Sequence, residues 1–132
     1  MVSAQDHAAG REGRVRVSLG LGQILVKRDR HAEAERLLSE AAGIFREDHA
    51  HLDDLLADAE QWLGVCLAAR GQFPEAEALL LTSYKTLAAC PGVPAPQKAE
   101  ALDHIVKLYD TWKKPDQARD WRARATENRT TH

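Results

Sequence analysis

Aromatic residues make up only 5% of this chain of 132 residues, cysteine occurs twice, and neither sign of charge dominates. The apolar fraction, 44%, is mostly Leu and Ala, which keep low-cost rotamers in helices, so the composition favours an all-helical chain. Cys66 and Cys90 lack CxxC spacing, which excludes a disulfide framework and fits reduced thiols and a cytoplasmic location. A net charge of −2 and no basic stripe exclude the field that gathers nucleic acid or anionic lipid. The longest leucine run, Leu79-Leu80-Leu81, is far short of a membrane span, and no basic start leads into an apolar core, so no secretory signal is expected. Without export, Asn128-Arg129-Thr130 is a chance match to a glycosylation acceptor.

Catalytic patterns are missing too. No Ser, His and acid trio is organised by motif, and Gly20-Leu21-Gly22 falls within a helical pattern rather than after a strand. Glu47 to Asp54 is the best metal candidate, but His49 and His51 lack HExxH spacing and would diverge on a helix. That segment reads as a solvated linker. Cys66 shares an apolar slot with Ile24 and Leu108 and reads as a buried structural thiol. No enzyme activity, cofactor or metal is expected.

What the chain does have is a period. Leu21-Gly22, Leu63-Gly64 and Ile105-Val106 recur at one interval, since 64 − 22 and 106 − 64 both give 42. Ala34, Ala76 and Ala118 keep the same step. A fixed period of this size marks one supersecondary unit stacked on itself. Each copy opens with an apolar stripe at helical spacing: Val17, Leu21, Ile24 and Leu25; then Ala59, Leu63, Cys66 and Leu67; then Ala101, Ile105, Leu108 and Tyr109. Gly22 and Gly64, costly inside helices, imply close approach of a neighbouring backbone. Short turns follow at 28–31, 70–73 and 112–115, where Gly71 and Asp29 suit a left-handed residue and Lys113 does not. Second helices follow, with the recurrent Ala at the hairpin crossing. Pro91 to Pro96 should be extended, and Phe45 to Leu56 is a charged link that can stay partly helical.

The expected architecture is therefore all-α: three antiparallel helix-turn-helix repeats stacked into a right-handed superhelical solenoid. Repeats are expected at 15–56, 57–98 and 99–127, with a flexible tail at 1–14 and a short one at 128–132.

Leu63-Gly64, Leu67, Gly71, Phe73, Ala76 and Leu80 resemble the tetratricopeptide repeat pattern. The 42-residue step is similar to the kinesin-light-chain-like subgroup. The stretch Leu108 to Ala118 resembles the final repeat of bacterial chains that join such arrays to a serine/threonine kinase, although no kinase motif is present. The resemblance implies an interaction scaffold that holds a peptide or protein segment on the inner wall of the solenoid. The Lys and Asn wall residues of chaperone-clamping members and the Asn pairs of kinesin light chains are replaced here, so neither binding mode carries over.

On that wall the expected groove residues are Leu19, Gln23 and Lys27 from the first copy, Gln61, Trp62 and Val65 from the second, and Asp103, His104 and Lys107 from the third. Trp62 either anchors a ligand or packs against a neighbouring helix. Gln23 and Gln61 are both expected to suit an extended peptide backbone. Trp112 and Trp121 fall in the last copy, where they either seal the open end or contact another domain or a second copy. The alternative function is accordingly an assembly or regulatory role, docking through that end onto a kinase-like or identical chain.

Overall fold

The structure is a computed structural model that describes residues 4–47 and 53–130. Six helices account for nearly all of them: α1 (Ala4–Lys27), α2 (His31–Glu47), α3 (Asp53–Ala69), α4 (Phe73–Ala89), α5 (Ala95–Thr111) and α6 (Pro115–Thr130). Among the described residues there is no strand. Successive helices pair into three hairpins, with α3 packed on α2 and α5 on α4, which is the expected repeat solenoid.

The hairpin turns repeat to the level of single hydrogen bonds. Asp29, Gly71 and Lys113 all adopt left-handed backbone, at φ 61°, 80° and 61°. Each donates its N–H to the carbonyl three residues back: Val26, Ala68 and Asp110. The following N–H groups, of Arg30, Gln72 and Lys114, reach five residues back to Leu25, Leu67 and Tyr109. This is the Schellman arrangement, which satisfies carbonyls that a helix end would otherwise leave open. Ala34, Ala76 and Ala118 then start the next helix by bonding to Arg30, Gln72 and Lys114, and all three alanines are buried.

Gly22 and Gly64 share a nearest neighbour that is a side chain, and at Gly64 the Ala76 backbone carbonyl also comes within 3.4 Å of an added Cβ. An added Cβ at Gly22 would lie 2.7 Å from Leu38, and one at Gly64 would lie 2.8 Å from Leu80. The close neighbour is the leucine side chain of the partner helix. In the third copy the volumes are exchanged: Val106 is buried, and the slot of Leu38 and Leu80 holds the exposed Arg122.

The first apolar stripe departs from expectation. Val17, Leu21 and Ile24 are 70%, 45% and 51% exposed, while their equivalents Ala59, Cys66, Ala101, Ile105 and Leu108 are buried. The reason is positional. In the second and third copies this face meets the second helix of the preceding hairpin, and no described hairpin precedes α1. The core side of α1 is instead Leu19, Gly22, Leu25 and Val26.

Boundaries shift at both ends. Residues 4–14, expected as a tail, continue α1, and α6 runs on to Thr130. Small residues such as Ala4, Ala8 and Ala9 favour helix and no proline interrupts them. Between α4 and α5 the expected extended path is a turn, closed by the Val93 N–H on the Cys90 carbonyl at 3.2 Å, and Pro96 sits in the first turn of α5, where its missing N–H is no loss.

Candidate functional site

The inner wall is formed by α1, α3 and α5, whose packing on one another follows from the 42-residue step. At its centre lies a groove enclosing about 460 Å³. Lys27, Trp62, Val65, Asp103, His104 and Lys107 line it, which brings together six of the nine expected residues.

Trp62 is only 4% exposed and forms the floor rather than a projecting anchor. The His104 ring meets it edge-on at 4.7 Å, and the Lys27 ammonium lies 5.6 Å from its ring centre. Such contacts stabilise the wall and leave an aromatic edge beside one cationic stem, that of Lys27.

Gln61 does not face a ligand. It is 2% exposed, and its Nε2 donates to the Leu80 carbonyl and to Ser83 Oγ, each at 2.9 Å. Its Oε1 therefore accepts from His104 Nδ1 at 3.0 Å, which places the proton of the neutral imidazole on Nδ1 and leaves Nε2 an acceptor. Burial, with Lys107 and Lys27 nearby, lowers the His104 pKa to about 4, so the ring is neutral at pH 7. The expectation that Gln61 bonds a peptide backbone fails because its donors are already used inside the fold. Leu19 is likewise buried in the core, since its side of α1 faces the partner helices.

Gln23 belongs to a second depression of about 380 Å³, at the end of the wall formed with the start of α5. There its Nε2 donates to Asp58 Oδ2 at 3.0 Å. Burial and Glu100 raise the Asp58 pKa to about 6, against hydrogen bonds from Trp62, Gln97 and Gln23 that favour the carboxylate. Asp58 and Glu100 escaped the sequence reading, yet a signal existed. They stand one helical turn before the groove slots, at the 42-residue equivalents of Arg16, so extending the wall by a turn reaches them.

The groove thus carries both signs of charge, Lys27 and Lys107 with Asp29, Asp103 and Glu100, and Glu100 also borders the neighbouring depression beside Asp58. A family model described as Tetratricopeptide repeat matches residues 13–85, more than half of the chain. The chain belongs to the tetratricopeptide repeat family. No curated protein and no solved structure matches it. Tetratricopeptide repeats are generally protein–protein interaction modules.

At the far end of the tetratricopeptide array, Trp112 and Trp121 are half-buried. Trp112 stacks on Phe73 at 5.5 Å and on Tyr109 at 6.3 Å, with Lys114 Nζ 3.7 Å from its ring centre. Trp121 meets Tyr84 edge-on at 5.9 Å, under the Arg124 guanidinium at 4.5 Å. Cys66 is fully buried, and burial pushes its thiol up to about 11, which suits packing and not nucleophilic attack. His49 and His51 lie outside the described residues. Among the described residues no group of His, Cys, Asp and Glu could hold a metal, and no helix is long and apolar enough to cross a membrane.

Proposed function

We propose that the groove between α1, α3 and α5 binds a peptide or protein segment that presents an apolar side chain beside a carboxylate. The supporting observation is the juxtaposition at one groove of Trp62 and Val65 with Lys27 and Lys107, on a lining that also carries Asp29, Glu100 and Asp103. The apolar side chain would cover the edge of Trp62 and Val65. The carboxylate would approach the two ammonium groups, and a backbone N–H of the segment would be matched to His104 Nε2. Apolar contact supplies affinity, while charge and hydrogen bonds set orientation and encounter rate.

Peptide display against the intact chain tests this reading. Selected segments should pair a bulky apolar residue with Asp or Glu, and Lys107→Glu or Val65→Arg should abolish their binding with helix content unchanged. Retained binding in both variants would refute the groove. Trp62→Ala and Gln61→Ala are unsuitable probes, since both residues are buried in the fold.

A further inference from the structure

Asp58 stands one helical turn before Trp62 on α3, in the depression beside the groove and not on the groove lining. Its carboxylate accepts hydrogen bonds from three helices. Gln23 Nε2 of α1 donates at 3.0 Å, Trp62 donates from the same helix, and Gln97 donates from α5. Trp62 can take part only as a donor, through its indole N–H. That bond fixes one edge of the ring, while His104 packs edge-on against it at 4.7 Å. The three inner helices therefore meet at a single side chain. They touch one another far less than α3 touches the outer helices α2 and α4. Polar bonds across the wall accordingly weigh more in setting its spacing.

We infer that Asp58 is a positioning residue for the groove: its carboxylate ties α1 and α5 to α3 and orients Trp62, so a bound segment is held more tightly although Asp58 does not touch it. The inference rests on the groove proposed above as the binding site. A carboxylate offers about four acceptor sites and no proton, which suits three converging N–H donors. It is also costly at this place. Burial, with Glu100 nearby, raises the Asp58 pKa to about 6, so the ionised group opposes folding at pH 7. An asparagine would avoid that cost but would lose half of the acceptor sites. A carboxylate kept against the interest of stability is the pattern of a functional position.

Of the groups that meet the carboxyl, Glu100 of α5 is charged, and Gln23, Trp62 and Gln97 are neutral. Arg16 holds the equivalent slot on α1. Protonation of Asp58 removes acceptor sites and adds an O–H among groups that are themselves donors, which loosens the wall. Binding in the groove should therefore weaken as pH falls through 6. The fold responds in the other direction, because protonation relieves the burial of charge. These opposite signs separate positioning from simple support, for which binding and stability would fall together.

Two measurements on the full chain test the inference. In the first, a segment recovered by display against the intact chain is titrated by calorimetry into wild type and Asp58→Asn between pH 5 and pH 7.5. At pH 7 the variant should bind about tenfold more weakly. The ratio of the two affinities should shrink towards one at pH 5, a comparison in which the other titrating groups of groove and segment cancel. The second needs no ligand. The Trp62 indole N–H resonance should shift with a midpoint at about pH 6 in wild type, following Asp58, and should stay fixed over that range in Asp58→Asn. Equal affinities at pH 7, or an indole N–H that does not respond near pH 6, would overturn the inference and leave the groove standing. If no displayed segment binds wild type, the groove fails and the inference falls with it.

Discussion

Gly22 lies so close to Leu38 that a single added methyl would sit 2.7 Å from the leucine's Cγ and Cδ2. Leu38 is fully buried, so its branch point has nowhere to go. Gly22→Ala should destabilise the fold by about 1–2 kcal/mol, the overpacking penalty less the helix propensity gained. Gly64→Ala, facing Leu80 at 2.8 Å, should behave alike. Chemical denaturation checks both. Adding Leu38→Ala to Gly22→Ala should cost less than the separate effects combined, because the two substitutions share one space.

Lys113 occupies the left-handed position that Gly71 fills one repeat earlier, and a lysine pays a steric penalty there. Lys113→Gly should therefore stabilise the chain by about 1 kcal/mol. Gly71→Ala should destabilise it by a similar amount. The turn hydrogen bonds are made by backbone in both cases, so the change should appear in the denaturation midpoint without loss of helical signal.

The equivalence of Asp29, Gly71 and Lys113 shows what the 42-residue step made legible. Periodic apolar residues and turn chemistry depend on local spacing, so the hairpins and their crossings could be read without coordinates. Exposure at Val17, Leu21 and Ile24 could not, because identical slots are covered or open according to what precedes them in space. Gln61 illustrates a second limit. Its slot matches Leu19, and only the packed structure shows that Leu80 and Ser83 on α4 take its donors. Asp58 was missed for the simpler reason that the wall was read one turn too short.

Asp58 and His104 should give opposite pH dependences. His104 falls from 6.5 to about 4 on folding, so its contribution is present above pH 6.5 and is lost as pH falls towards 4. Asp58 rises from 3.8 to about 6, so the folded state is favoured by its protonation below pH 3.8, and that advantage is lost as pH rises through 6. Between pH 4 and 6 the two slopes oppose each other. Relative to wild type, Asp58→Asn should gain stability as pH rises through this window, by about 1–3 kcal/mol at most for shifts of this size. His104→Asn should lose relative stability over the same range. Urea denaturation at stepped pH distinguishes the two signs.

Replacing Gln61 by Glu tests the tautomer directly. A carboxylate accepts from His104 but cannot donate to the Leu80 carbonyl or to Ser83 Oγ. Two effects should therefore appear together. The fold should lose about 1–3 kcal/mol, the penalty for a buried group left without its partner. The His104 pKa should rise from about 4, because a negative charge beside Nδ1 favours the imidazolium. Nitrogen-detected NMR titration reads both ring nitrogens. In the wild type the proton should reside on Nδ1, with Nε2 showing the shift of an unprotonated nitrogen. If Nε2 carries the proton instead, Gln61 must be turned over, and the acceptor assigned to the groove lies on the wrong side of the ring.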